Sequence, residues 1–394
     1  MTAAMALQRE IFDQTHDDFR SSFRAFVAAE IVPHHERWEV QGRIDKSMFR
    51  AAGDNGFLGM AVPPEYGGLG EPDFRYNAII SEELQRANVI SSGMCITLHN
   101  DIVLPYLLST TTDEQKARWL PGMVTGELMG AISMTEPGTG SDLASIATTA
   151  LLDGDDYVIN GSKTFVTNGI NADLVIVAAK TDPTQRHRGL SLIVVETGTP
   201  GFERGRALRK IGLKSQDTAE LFFDNARVPT ANLLGEPGTG FATLMRNLAQ
   251  ERIALAVSAI AGSRAVLGWT IDYCRERKAF GQRLTSFQNT KFVLAELTTA
   301  AEVAQVYVDH LIRKHVAGEL TAEDASKAKL WTTDLQQRVV NSCLQLHGGY
   351  GFMEEYPVAK AFLDARVQTI YAGTNEIMKE IIGRSIDTPV PAGN

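Results

Sequence analysis

LLDGDDYVINGSKTFVTNG, residues 151–169, is where the chain changes its structural period. Apolar residues alternate with polar ones there, and Gly154, Asn160-Gly161 and Asn168-Gly169 read as turn markers. DLVIVAAK, LSLIVVE and AELFFDNARVP follow as further strands. Short strands with regular turns predict a β-barrel or sandwich over residues 129–235.

Outward from this stretch the period is helical on both sides. Residues 1–128 read as an α-helical N-terminal domain. Phe19, Phe23, Phe26, Val27 and Ile31 lie at helical spacing, and Pro33 is expected to end that run. VPPEYGGLGEPD reads as a loop, and Thr112 to Gln115 as a capping box. Residues 236–385 read as a helical bundle. One stripe holds Phe241, Leu244, Leu248 and Leu255. Another starts at the N-cap Thr321 and passes Ala328, Trp331, Leu335, Val339 and Leu346 to Gly348-Gly349. The tail, 386–394, is expected to fray. The fold class is therefore α+β multidomain: an α-helical N-domain, a middle β domain and a C-terminal four-helix bundle.

Composition narrows the function. With 394 residues, 44% hydrophobic and 22% charged, the chain is long enough for large cores. A net charge of −9 argues against nucleic acid as a partner. No apolar run is seen that approaches a membrane span. The opening residues, MTAAMALQREIFDQTHDD, read as neither signal nor transit peptide, so a cytoplasmic protein is expected. The three cysteines, Cys95, Cys274 and Cys343, are far apart, which fits a reducing compartment. Cys274 and Cys343 fall on apolar stripes and read as core. The eight histidines show no zinc-site spacing, so no metal is expected.

Two features carry chemistry on their own. GTGSD, residues 138–142, is a phosphate cradle or a plain turn. It lacks the spacing of a dinucleotide fingerprint and of a P-loop. Glu251 in MRNLAQERIALA lies between Leu248 and Leu255 with no cation at helical spacing. A carboxylate on an apolar stripe is a general base with a raised pKa, or a structural group paired from another helix. Arg275, Arg277, Lys278 and Arg283 flank Phe280-Gly281, as a phosphate grip or a solvated helix end.

Together these pieces resemble the acyl-CoA dehydrogenase family. AISMTEPGTGSDLAS (131–145) resembles its first signature, and the stretch from QLHGGYGF to EIIGR (345–384) its second. GSKTFVTNG, RKIGLKSQDTAELFFDNARVP and RERKAFGQRLTSFQ stand between them in the expected order. The similarity runs from about residue 12 to about residue 385. The resemblance implies the three-part fold above, bound FAD and a homo-oligomer, usually a tetramer. It also implies conversion of an acyl-CoA to a trans-2-enoyl-CoA, with electron-transferring flavoprotein as acceptor.

Carried over by position, Met134, Thr135, Ser141, Phe165 and Thr167 match FAD contacts. Arg277, Phe280 and Gln288 match contacts to the FAD of a neighbouring subunit. Gln345, Gly348, Gly349, Thr374 and Glu376 match further FAD contacts. Ser141, Arg252, Ala372 and Gly373 match substrate contacts, with the Ala372 N–H directed at the thioester oxygen. Phe165 is otherwise a strand-core residue.

One departure decides the subgroup. Many short- and medium-chain members carry the catalytic Glu where this chain has Ala372. The sequence thus resembles the isovaleryl-CoA and long-chain subgroups, whose base matches Glu251. Phe165 and the wording GLKSQDTAELFF and IYAGTNEIMKE favour the long-chain subgroup. Branched or short-chain (isovaleryl-type) and sterol side-chain thioesters stay open. So do an oxidase of the same ancestry and a non-catalytic acyl-CoA or flavin binding protein.

Overall fold

Asp153 and Asp156 face each other across a two-residue turn, with Gly154 at φ 65°. This turn joins β2 (Thr149–Asp153) to β3 (Asp156–Thr167) in a computed structural model that describes residues 9–386. The expected turn at Asn160-Gly161 does not form. β3 runs straight through it with a bulge between Ile159 and Gly161. Gly161, at φ 148°, supplies the backbone freedom that the bulge requires. A Cβ there would sit 2.5 Å from Thr148 Oγ1.

The other strands are β1 (Gly130–Ser133), β4 (Leu174–Lys180), β5 (Leu190–Glu196), β6 (Phe202–Ala207), β7 (Thr218–Pro229) and β8 (Leu233–Leu234). They form one eight-stranded sheet in the order β6-β7-β3-β2-β4-β5-β8, with β1 parallel to β4. β4 and β5 read as unbroken apolar runs because both of their faces are covered. Ile176, Ala178, Leu192 and Val194 pack into a core with Tyr106, Leu107, Trp119 and Met123. Val175, Val177, Ile193 and Val195 face a second core with Tyr157, Ile159, Leu221 and Phe223.

The N-terminal helices are α1 (Gln14–Phe26), α2 (His35–Gln41), α3 (Lys46–Asp54), α4 (Phe74–Arg86), α5 (Ile90–Thr97), α6 (Leu104–Thr110) and α7 (Asp113–Val124). The helical path does not end at Pro33. It widens in a π turn, Val27–Ile31, and then tightens in a 3-10 turn, Val32–His34, into α2. Pro33 sits in the first turn of its 3-10 segment, where no N–H is needed. Thr112 and Gln115 form the expected capping box of α7.

The C-terminal helices are α8 (Gly240–Glu276), α9 (Gln288–Val316), α10 (Ala322–His347), α11 (Pro357–Ala365) and α12 (Asn375–Ile386). Ile253, Val257, Ile260 and Leu267 of α8 share a core with Leu297, Ala301 and Val308 of α9 and Leu335, Val339 and Cys343 of α10. Thr321 caps α10 through a box closed by Asp324, and the helix stops before Gly348 at φ 61°. Trp331, expected on the buried stripe, is instead half exposed. All three cysteines are buried. By length and composition α8 alone among the described helices could cross a membrane, against the sequence expectation. Of its most apolar 18-residue window, 67% is buried inside the protein.

Contacts divide the chain into two compact units. One holds the chain through Arg24, Phe74–Ile90 and everything from Ala249; the other holds Ala25–Asp73 and Ser91–Leu248. Residues 387–394 of the expected tail lie outside the described residues.

Candidate active site

In the sheet-bearing unit, the first signature follows β1. Glu136 and Thr139 exchange backbone hydrogen bonds of 2.9 and 3.0 Å, so EPGT closes as a tight turn. Added Cβ atoms at Gly138 and Gly140 would meet nothing within 4 Å, and Ser141 is exposed. The loop thus offers open backbone and a free-standing hydroxyl, which fits a phosphate cradle as well as a turn.

A buried ion pair anchors this loop. The Glu136 carboxylate accepts from Lys163 Nζ at 2.7 Å, Ala147 N at 2.7 Å and Thr148 N at 3.0 Å. Lys163 also donates to the Met134 carbonyl, and Thr164 N to the Thr135 carbonyl. Burial opposes the Glu136 charge, but the Lys163 ammonium outweighs it and holds the carboxyl below its usual range. Burial pushes Lys163 down to about 8 against the pull of Glu136. Neither residue was singled out from sequence. The available signal was a lysine on the inward side of an alternating strand.

Phe165 is not a strand-core residue. It stands at φ 57° and 68% exposed, at a break in register between Lys163 and Val166. A left-handed aromatic is strained, so its ring is held outward at a cost. Thr167 ends the same strand, opposite Thr218. Asn168, at φ 62°, makes the expected turn, braced by Gln216 Nε2 and by its own bond to the Gly130 carbonyl. Met134, Thr135, Phe165 and Thr167 are thereby set on two segments tied together by Glu136 and Lys163.

In the helical unit, Glu251 and Arg252 are buried side by side on α8, 3% and 5% exposed. Burial lowers the Arg252 pKa from its ordinary value, and the Glu251 carboxylate opposes that shift. Arg252 Nη1 reaches Ser326 Oγ at 3.4 Å, while Nε has no partner among the described residues. An orphaned buried donor suits an oxygen-bearing ligand. Next to it lies a turn of two left-handed residues, Ala372 at φ 51° and Gly373 at φ 88°. A Cβ on Gly373 would stand 3.7 Å from Arg252 Nη2.

Lys329 of α10, which sequence reading passed over, is fully buried and donates to the Gly373 carbonyl at 2.8 Å and Asn375 Oδ1 at 2.9 Å. Thr374 caps α12, its hydroxyl accepting from Ile377 N at 3.4 Å. Glu376 is exposed; its own backbone N–H and the Thr374 hydroxyl lower its pKa.

Arg277, Gln345, Gly348 and Gly349 line one cleft of about 570 Å³ with Tyr273 and Tyr350. The Arg277 guanidinium lies over the Tyr350 ring, 5.3 Å from its centre. Added Cβ atoms at Gly348 and Gly349 would meet nothing within 4 Å, so a ligand could approach the backbone. Phe280 and Gln288 do not line this cleft. Phe280 tops a two-stranded hairpin, β9 (Lys278–Ala279) and β10 (Gln282–Arg283), at φ 50° and 95% exposed. Gln288 is the exposed first residue of α9. Open glycine backbone, a cation for a pyrophosphate and an outward aromatic ring fit a flavin dinucleotide. Such a group supplies a hydride acceptor.

Comparison with known proteins agrees. Residues 13–127, 131–226 and 238–386 match the N-terminal, middle and C-terminal domains of acyl-CoA dehydrogenase. The chain is 46% identical over 380 residues to the mitochondrial long-chain specific acyl-CoA dehydrogenase of Sus scrofa, covering 96% of this chain and 88% of that one. An acyl-CoA dehydrogenase structure from Geobacillus kaustophilus superposes with a TM-score of 0.94 at 50% identity, covering 97% of this chain and all of that one. A Mycobacterium smegmatis glutaryl-CoA dehydrogenase in complex with FADH2 gives 0.89 at 28% identity, with 97% of each chain covered. With all three of its domains matched in order, this chain belongs to the acyl-CoA dehydrogenase family, whose enzymes depend on FAD.

Proposed function

We propose that the protein oxidises a long-chain acyl-CoA to the trans-2-enoyl-CoA, with Glu251 taking the α-proton. The observation that carries this reading is a buried carboxylate at 251 in a chain whose position 372 is a methyl group. Bound FAD would supply the acceptor for the β-hydride. The protein's own residues do the rest. Glu251, buried on α8 beside Arg252, supplies the carboxylate that takes the α-proton of the polarised thioester. The Ala372 N–H donates to the thioester oxygen, where negative charge gathers as the α-proton leaves. Arg252 adds positive charge beside the same turn. Met134, Thr135, Phe165 and Thr167 orient the flavin ring. Ser141, Gln345 and the glycines at 348 and 349 take its phosphates, and Thr374 and Glu376 its remaining contacts.

Electrons pass on to an electron-transferring flavoprotein. The working form is a homo-oligomer, most simply a tetramer. In support, the helical unit leaves Phe292, Val303, Val306 and Trp331 at least half exposed, an apolar surface of the kind that partners cover. In that assembly Arg277, Phe280 and Gln288 serve a neighbour's flavin.

The test is an anaerobic titration of the yellow protein with straight-chain acyl-CoAs of increasing length and with isovaleryl-CoA. Flavin bleaching strongest with long straight chains is expected. Bleaching by isovaleryl-CoA alone would move the substrate to the branched class. No bleaching at all, with FAD bound, would overturn the reading.

A further inference from the structure

We propose that Lys329 is a positioning residue for the reaction: its buried side chain clamps the Ala372–Gly373 turn so that the Ala372 N–H meets the thioester oxygen. This inference rests on the dehydrogenase reading above and adds a residue to its machinery.

The geometry is specific. Two of the three donors on the Lys329 ammonium are committed, to the Gly373 carbonyl and to Asn375 Oδ1. Asn375 cannot drift, because its amide donates to Thr333 Oγ1 at 3.0 Å and Asp334 Oδ1 at 2.7 Å. The turn being held is strained. A left-handed Ala is unfavourable because its Cβ crowds the following carbonyl oxygen, and Ala372 is followed by a second left-handed residue. Gly373, at φ 88°, would be strained as any other residue, and its Cβ would also fall 2.9 Å from Met378 Cε. The Gly373 carbonyl belongs to the Gly373–Thr374 peptide, so Lys329 pins the C-terminal end of the turn; with Ala372 and Gly373 both locked left-handed, the Ala372 N–H at its other end is held in direction through them.

A purely structural anchor would be cheaper as a neutral donor. Burial of an ammonium is unfavourable, and here it pushes Lys329 down to about 8, with the Arg252 cation pushing the same way. Two cations therefore share one turn, with Arg252 lying against Gly373. Each cation opposes the other, and carboxylates offset this in part: Asp334 and Glu376 for Lys329, and Glu251 for Arg252. The pair of cations is best used when negative charge develops on a bound oxygen, which is the condition of the enolate-like transition state.

The test separates proton abstraction from hydride transfer. A 3-thiaacyl-CoA carries sulfur at the β position, so it has no β-hydride to lose, yet its α-protons exchange with D2O if the base and the oxygen donor work. NMR follows that exchange in Lys329→Met, Lys329→Arg, Asn375→Ala and Glu251→Gln, each with its flavin band and its Kd for the analogue. In Lys329→Met, exchange is expected to slow about 10²-fold with FAD retained and Kd changed only a few-fold, the size of effect of losing one oxyanion donor. Lys329→Arg should recover part of the rate, and Asn375→Ala should slow it about 10-fold by loosening the clamp. Exchange in Lys329→Met within threefold of wild type overturns the proposal. Should that variant not fold, an unchanged rate in Asn375→Ala does so. Wild-type exchange in Glu251→Gln would instead sink the dehydrogenase reading itself.

Discussion

Glu136 and Lys163 meet at 2.7 Å in the interior of the sheet-bearing unit, one from the loop after β1 and one from the middle of β3. Each side of that pair leads to proposed flavin contacts: Met134 and Thr135 precede the glutamate, and Phe165 and Thr167 follow the lysine.

Breaking this pair on one side should be costly. Lys163→Met leaves the Glu136 charge buried with only two backbone donors. A loss of about 3–5 kcal/mol is expected. The double variant Lys163→Met with Glu136→Gln should recover much of it. Thermal midpoints of the three proteins, each with and without added FAD, check this.

Glu251→Gln should keep the fold and the yellow colour, since the amide has nearly the same shape. The rate of flavin reduction by acyl-CoA should fall about 10²–10⁴-fold, the usual contribution of a general base. Stopped-flow reduction at saturating substrate is the measurement, and wild-type speed would remove Glu251 from its role.

Phe165 should matter for the ligand and hardly at all for the apoprotein. It is mostly exposed and sits at a positive φ that glycine adopts freely. Phe165→Gly is expected to leave apoprotein stability unchanged or slightly raised. FAD should bind about 3–10-fold more weakly, from the loss of about 0.5–1.5 kcal/mol of ring stacking. Equilibrium binding of FAD beside a melting curve distinguishes the two effects.

His99 predicts an acid limb of stability. It is fully buried against Phe49, its Nε2 bonds to the Met123 carbonyl, and its Nδ1 finds no partner among the described residues. Burial pushes its pKa down from 6.5 to about 4. The unfolded chain therefore takes up the proton first. This contribution is intact above about pH 6.5 and is lost as pH falls towards 4, about 3 kcal/mol in all. Melting points from pH 7 to pH 4 should drop more steeply in wild type than in His99→Leu.

Much of the architecture was legible as pattern. Alternation over β3 and β7, the short apolar runs of β4 and β5, capping at Thr112 and Thr321, and the stripes of α8 and α10 (Trp331 apart) are local patterns that the fold follows. Local reading failed where the same signal has two outcomes. Asn160-Gly161 can close a hairpin or widen a strand into a bulge, and only the pairing of β3 with β7 selects the second. Pro33 can end a helix or open a tighter turn, and the chain takes the second course.

For the site, the sequence by itself determined which chemical groups exist: a glutamate on an apolar stripe at 251, no acid at 372, and glycine-rich segments at 138–140 and 348–349. It also carried the family, through motif order. Tertiary structure alone decided their condition. Phe165 points outward because the β3 backbone is twisted to a left-handed residue there, and Arg252 Nε has no partner among the described residues while its Nη1 reaches Ser326. Lys163 and Lys329 look like ordinary lysines in the chain. Their partners lie 27 residues away for Glu136 and 44 away for Gly373, and burial and charge pairing across such gaps depend on packing that no local period encodes.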